Sequence, residues 1–474
     1  MKSSLLFSLR LSLCCILSLL TAELPHAEET LSVDNEAVTE QLQQEFHGSY
    51  PETASPSNKV HSQELIAAEA EWGILPPYQT TVWAYNGKIA PVIRINLGET
   101  LKLTLHNKLP QATSIHWHGI RLPNAMDGVP GVTQPAIEPG ASFTYEFTPK
   151  DAGTFWFHPH ANSPEQIERG LQGLLIVENP DEPKYSQDLA WILDDWLLEK
   201  GAKIHDRFVT GHDLMHDGRW GNVVTINGHY RPSIPVKPGE RIRIRMVNSA
   251  NGRVFAPTVE GIETQIIAVD GLPAQSPITL QNFYLAPGNR IDLDLTIPKN
   301  AAGKTFAVLD SFGNKANNLA ILQVEDTAAV TTPTFKPIQA KHFPDWRSAI
   351  DAPVTHEFML NAMRGGEHGI TWTIDGHSGH DTIAQELQTQ RFYRLRFTNR
   401  SYRLHPMHLH GQFFQVIAVD DRPVREGFWR DTVLIGPKQS VDIGLVPIDK
   451  GLWALHCHIL EHAEAGMMTT IRIQ

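Results

Sequence analysis

The run Ile93-Arg94-Ile95-Asn96-Leu97-Gly98-Glu99, preceded by Asn86-Gly87 and followed by Leu103-Thr104-Leu105-His106-Asn107, decides the fold. Its apolar residues fall at every second position, the period of a half-buried strand, and Gly and Asn bound the strands as turn residues do. The pattern returns twice. Asn227-Gly228 opens Ile234-Pro235-Val236-Lys237-Pro238-Gly239-Glu240 and then Ile244-Arg245-Met246-Val247-Asn248. Asp375-Gly376 opens a looser copy that ends Leu395-Arg396-Phe397-Thr398-Asn399. The second half of each copy repeats as well. Glu138-Pro139-Gly140-Ala141-Ser142 leads to Phe155-Trp156-Phe157-His158, Ala286-Pro287-Gly288-Asn289-Arg290 to Phe306-Ala307-Val308-Leu309-Asp310, and Gly436-Pro437-Lys438-Gln439-Ser440 to Trp453-Ala454-Leu455-His456. Three such units of short, turn-bounded strands predict an all-β chain of three tandem Greek-key sandwiches.

The predicted units are residues 73–182, 183–326 and 354–474, with a Thr-, Ala- and Pro-rich linker at 327–353. Residues 28–72 are polar and acidic and read as a flexible lead-in, with a short helix around 63–71. Ahead of them, Lys2 and Arg10 precede or interrupt an apolar run over 5–20 that ends in small residues, as a cleaved secretory signal (1–27) does. That run is too short and broken for a membrane span. Export to the periplasm or the medium is therefore expected. The net charge of −12, with no Lys/Arg cluster to neutralise a phosphate backbone, argues against a nucleic-acid partner. Of 3 cysteines, Cys14 and Cys15 fall within the signal. Cys457 is then alone in the exported chain, and a lone thiol there calls for a ligand or nucleophile role.

Cys457 lies in Trp453-Ala454-Leu455-His456-Cys457-His458-Ile459-Leu460-Glu461-His462-Ala463-Glu464-Ala465-Gly466-Met467. On a strand, His456 and His458 face one way and Cys457 the other, so one strand would serve two metal sites. Cys457, His462 and Met467 supply thiolate, imidazole and thioether, and one more histidine completes the site that marks blue copper. Three further clusters are His116-Trp117-His118, His158-Pro159-His160 and His405-Pro406-Met407-His408-Leu409-His410. All fall in the first and third units, so a shared site requires those units to pack together. The middle copy lacks metal residues. Residues 205–217 and 363–380 also carry His, Met and Asp; polar turn-rich loops look the same, and neither is counted as a site.

The four histidine motifs resemble those of three-domain multicopper oxidases, the family of laccases and bacterial copper-resistance oxidases, from about residue 75 onward. The resemblance implies cupredoxin-like sandwiches and four copper ions. A type 1 ion would sit on His405, Cys457 and His462 with Met467 axial, and a type 2 ion on His116 and His408. A type 3 pair would use His118, His158 and His458 on one ion and His160, His410 and His456 on the other. Electrons would pass from Cys457 to its neighbours His456 and His458, and O2 would be reduced to water after four have been collected. Asp127, in Met126-Asp127-Gly128, matches a carboxylate that the family places near the cluster for proton delivery, although Asp-Gly also makes a plain turn. Asp127, Cys457, His456 and His458 are thus the residues expected to act in catalysis. Many bacterial members carry a carboxylate directly after the second type 1 histidine; here that position is Ala463, with Glu464 one residue on, so Glu464 is not the expected donor.

Asp431 is equally a partner for a ligating histidine or for Arg430, and Glu461 reads as solvent-facing. A phenol or aromatic amine would need an apolar pocket beside His462 or His405, whereas Cu(I) would need a docking site of Met, Asp and Glu. With 9 methionines and no methionine-rich insert, the reading tilts to a laccase-like oxidase. The alternatives are a cuprous oxidase serving copper tolerance and a copper-binding resistance protein with little turnover.

Overall fold

The computed structural model describes residues 35–474 apart from 51–52, 341–342, 345–347 and 367–368, so the expected signal at 1–27 lies outside the described residues. Strand alternation is carried into burial: in Thr100–Asn107, Leu101, Leu103 and Leu105 point into a core while Lys102 is exposed. Each sheet draws its strands from one third of the chain, and each third holds two sheets. The first third has two 4-stranded sheets, the second a 7- and a 4-stranded sheet, and the third a 6- and a 5-stranded sheet.

The three units share one pairing plan. In the first, Val60–Trp72 runs parallel to Thr100–Asn107, and Val92–Asn96 parallel to Gly173–Glu178. The equivalents are Gln187–Trp196 with Arg241–Asn248 and Ser233–Val236 with Asn317–Val324 in the second unit, and Val354–Arg364 with Tyr393–Asn399 and Ile383–Leu387 with Met468–Ile473 in the third. The remaining pairings are antiparallel, as Greek keys require. The repeated turn is conformational as well as sequential. Asn86-Gly87, Asn227-Gly228 and Asp375-Gly376 all take positive φ at both residues, between 52° and 77°, which Asn, Asp and Gly adopt at least cost.

Residues 28–72 need correction. Val60–Trp72 is a 13-residue strand of the first sandwich, not a helix or a flexible lead-in. Its buried Leu65 and Ala67 alternate with exposed or half-buried neighbours, but the same face continues into exposed Glu69 and Glu71, so the apolar alternation lasts only a few residues. Asn35–Ser49 is a helix. Val38, Leu42 and Phe46, four apart, form one face, and Leu42 and Phe46 are fully buried against the third unit. The Phe46 ring meets Phe392 at 4.8 Å, Tyr50 stacks on Trp429 at 4.7 Å, and the Tyr50 O–H donates to the Phe413 carbonyl over 2.5 Å.

Cores of the first and third units merge into one apolar cluster, from Leu65 and Trp117 to Trp453 and Ile471, which brings the two histidine-bearing units face to face. The second unit keeps its own core and joins the first through a shared apolar cluster, in which Val82, Trp156 and Leu174 meet Ile192, Trp196 and Val247, and through charge. Arg245, 1% exposed, donates to both Asp188 oxygens over 2.7 and 2.9 Å and to Thr154 Oγ1 of the first unit over 2.9 Å. Asp292, 1% exposed, accepts from Thr154 Oγ1 over 2.8 Å. Arg245→Met would leave these carboxylates short of a cation, which costs about 3–5 kcal/mol. Thermal unfolding of the copper-loaded protein checks this. A loss under about 1 kcal/mol, the range of an exposed pair, would show that Arg243, which donates to Asp292 Oδ2 over 2.5 Å, neutralises that carboxylate without Arg245.

Candidate metal centre

Cross-strand register builds the histidine cluster. His116–His118 runs antiparallel to Gly153–His158 with His116 opposite His158, and His405–Leu409 runs antiparallel to Gly451–Cys457 with Met407 opposite Cys457 and His408 opposite His456. Opposed residues share a sheet face, so His408 and His456 point together. His405, two residues before Met407, shares the face of Cys457. The first and third units then interleave their rings: His116 stacks on His410 with centroids 3.8 Å apart, and His118 on His408 at 3.7 Å. Ring nitrogens of His118, His158 and His458 lie within 4.8 Å of one another, as do those of His160, His410 and His456 and those of His116, His118 and His408.

Most of these rings are tied outward through one nitrogen. His116, His158, His408 and His456 donate Nδ1–H to the carbonyls of Asp127, Pro159, Asp431 and Cys457 over 2.8–2.9 Å. His410 Nδ1–H donates to Asp127 Oδ2 over 2.8 Å, and His118 Nε2–H to Asp431 Oδ1 over 3.2 Å. The inward nitrogens of His116, His118, His158 and His408, and both of His458, are buried with no hydrogen-bond partner. Buried polar atoms in a native protein are rarely left so. His410 Nε2 and His456 Nε2, both acceptors in these tautomers, face each other at 3.0 Å. Burial, and then neighbouring rings, hold His118, His158, His160, His410 and His458 well below the usual histidine range, so they stay neutral. Converging neutral imidazoles, each fixed from behind, are the donor set that a copper cluster needs.

On the other face, Cys457 Sγ lies 3.6 Å from His405 Nδ1 and 3.9 Å from His462 Nδ1, and those two nitrogens are 3.3 Å apart. His405 Nε2 bonds Ser401 Oγ over 2.9 Å, and His462 Nε2–H donates to the His216 carbonyl over 2.9 Å, which turns both Nδ1 lone pairs toward the sulfur. Burial lowers His462 to about 3 and pushes the Cys457 thiol above its ordinary range. The short helix Leu460–Glu464 carries His462, and buried Met467 follows it. The Met467 carbonyl accepts the Cys457 N–H over 3.0 Å, and its own N–H donates to the His462 carbonyl over 2.9 Å.

Several supporting residues were not expected. Asp431 pairs with Arg290 of the second unit through two bonds of 2.6 and 2.8 Å, and buried Asp270 accepts the Asp431 N–H over 3.2 Å. Arg430 instead pairs with Glu426. Gly119 (φ +78°) makes room for this pair: a Cβ there would fall 2.0 Å from Arg290 Nη2. Arg290 closes the repeated Ala286-Pro287-Gly288-Asn289 turn of the middle copy, the one sequence signal that marked it. Glu461 is also corrected. It is fully buried and accepts from Asn251 Nδ2 over 2.8 Å and from the Arg219 N–H over 3.1 Å, because the helix turns it toward the second unit. Glu464 lies exposed at the end of the same helix. Around 205–217 and 363–380, no three His, Cys, Asp or Glu side chains converge among the described residues. A cavity of about 520 Å³ opens between Phe283, Tyr284 and Phe312 of the second unit and Val419 and Phe428 of the third, and Leu404, the residue before His405, lines it.

Family models described as Multicopper oxidase match residues 67–182, 187–330 and 351–474. The chain is 30% identical over 468 residues to Multicopper oxidase MmcO of Mycobacterium tuberculosis, covering 89% of this chain and 88% of that one. It is 26% identical to Laccase-1 of Cryptococcus neoformans var. grubii, with 84% and 78% covered. Among solved structures, a multi-copper oxidase from Pseudomonas thermotolerans superposes with a TM-score of 0.78 at 30% identity, over 88% of this chain and 100% of that one.

Proposed function

We propose, from the premise that this chain belongs to the multicopper oxidase family and is an oxidoreductase of that kind, that its copper divides into four ions held by the residues just described. His405, Cys457, His462 and Met467 would hold a type 1 ion, His116 and His408 a type 2 ion, and His118, His158, His458 with His160, His410, His456 a type 3 pair. The observation that carries this is the set of buried inward ring nitrogens without partners. Copper bound there supplies a one-electron couple beside the thiolate and a cluster able to pass four electrons to O2.

The chain supplies the rest. Its main chain links Cys457 directly to His456 and His458, so the electron route between the two sites is covalent. Asp431, fixed by Arg290, orients His118, while Asp127 holds His410 and is the group proposed to relay protons. The cavity beside Leu404, about 520 Å³ and lined by aromatic rings, lies in the size range of small-molecule sites. This supports a phenol or aromatic amine as reductant. Residues 1–27 are read as an export signal, which would place copper loading outside the cytoplasm.

His408→Ala tests the division. The type 2 ion and O2 reduction should be lost, with blue absorption retained, because His408 and Cys457 occupy opposite faces of the sheet. Copper analysis, electron paramagnetic resonance and oxygen uptake with a phenol read the three properties separately. Loss of colour together with type 2 copper would sink the two-site reading.

A further inference from the structure

The second unit carries none of the proposed copper ligands, yet one of its turns reaches the cluster. The same proline-containing turn stands in all three copies, just ahead of the strands that begin at Ser142, Arg290 and Ser440. In each, a main-chain N–H bonds back across the turn: Ala141 to the Glu138 carbonyl over 2.9 Å, Asn289 to Ala286 over 3.0 Å and Gln439 to Gly436 over 3.3 Å. The residue after proline takes positive φ each time, 81° at Gly140, 89° at Gly288 and 59° at Lys438. A lysine holds that conformation in the third copy, so the turn alone does not demand glycine.

Surroundings separate the copies. A Cβ on Gly140 would meet nothing within 4 Å, whereas one on Gly288 would fall 2.9 Å from His458 Cδ2 and 3.0 Å from His118 Cε1. Gly288 thus seats its backbone against both rings. His458 is fully buried and neither of its ring nitrogens has a hydrogen-bond partner, while His118 is tied to Asp431 and His456 to the Cys457 carbonyl. The turn itself is held firmly. Arg290 Nη1 donates to the Gly288 carbonyl over 3.2 Å and to Asp431 Oδ1 over 2.8 Å, and Asn289 Nδ2 donates to the Thr432 carbonyl over 2.9 Å and to Asp270 Oδ1 over 3.1 Å.

We propose that Gly288 is a positioning residue of the cluster: its backbone is the wall that sets the ring angle of His458, a task that hydrogen bonds perform for His118 and His456. The proposal rests on the reading that His118, His158 and His458 hold one ion of the type 3 pair. Asp431 fixes His118, so a methyl group at position 288 displaces the ring that is free. His458 then swings away from the nitrogens of His118 and His158 that lie within 4.8 Å of its own. A close-packed interior does not absorb an added methyl without such a shift. The unit without ligands thereby decides whether the branch from Cys457 to His458 ends on copper.

The test sets Gly288→Ala against Gly140→Ala, which adds the same methyl at nearly the same φ in open space. Bound copper, blue absorption, electron paramagnetic resonance and oxygen uptake are measured on the copper-loaded proteins. Gly288→Ala should keep its blue absorption, bind one ion fewer than the wild type and lose roughly 10–100-fold in turnover, the usual cost of disturbing the surroundings of a metal ligand. The type 3 ion left without its coupled neighbour should add a new Cu(II) resonance. Gly140→Ala should bind all four ions and stay within about twofold in turnover, as changes away from a site generally do. Asn289→Ala, which adds no volume and frees the turn from Thr432 and Asp270, should show the loss of Gly288→Ala in smaller measure. Four ions retained in Gly288→Ala, or an equal loss in Gly140→Ala, would overturn the wall; if Gly288→Ala does not fold, four ions retained in Asn289→Ala would do so. A wild type with fewer than four ions would refute the type 3 reading and the proposal with it.

Discussion

Cys457→Ser should remove the blue absorption and lower O2 reduction by more than the roughly 10–100-fold that loss of an outer partner costs. The sulfur is fully buried, 3.6 and 3.9 Å from two imidazole nitrogens, with the Ile459 N–H donating to it over 3.4 Å. Burial alone keeps the thiol protonated. Only a bound cation makes thiolate stable there, so colour and copper report the same event. Serine keeps the volume but loses softness and the sulfur link between the two sites. The fold should persist, since the pairing of His405–Leu409 with Gly451–Cys457 is made by main-chain bonds. Absorption, copper content and oxygen uptake on one preparation check the result. A variant that kept an intense band would mean the chromophore lies elsewhere.

Strand alternation and turn chemistry made the fold legible, because both survive in a single sequence: the Asn86-Gly87, Asn227-Gly228 and Asp375-Gly376 turns recur in the structure with the same backbone conformation. Histidine motifs were legible for a similar reason, since a side-chain period of two sends His456 and His458 one way and Cys457 the other. What stayed hidden were contacts between units. Arg290 and Asp270 sit far in sequence from Asp431, and no local pattern shows that a second unit without metal residues reaches into the centre. Glu461 read as solvent-facing because a carboxylate is rarely buried without a partner, whereas the helix Leu460–Glu464 packs it against Asn251 and Arg219. The strand Val60–Trp72 was missed because the face that buries Leu65 and Ala67 runs on into exposed Glu69 and Glu71, which cuts the apolar alternation short.

Asp127 carries the remaining prediction. It is 1% exposed and lies between histidines of two units, with Oδ2 accepting from His410 Nδ1 over 2.8 Å, Oδ1 3.3 Å from His116 Nδ1, and its carbonyl accepting from that same nitrogen over 2.8 Å. Asparagine keeps one oxygen for His410, and His116 retains the main-chain carbonyl. Ring positions and copper should therefore survive, and what disappears is the negative charge and the capacity to hold a proton. Turnover of Asp127→Asn should fall roughly 10–100-fold, the usual cost of disturbing a partner of a ligating histidine, with blue absorption and copper content near normal. Asp127→Ala, which strips His410 of its partner, should lose cluster copper as well. Glu464→Gln, at an exposed position, should stay within about twofold, as surface changes generally do. Turnover and bound copper measured across all three variants separate the two roles of Asp127. Full activity in Asp127→Asn would leave it only as a brace for His410, and a larger loss in Glu464→Gln would move the proton supply to the helix that carries His462.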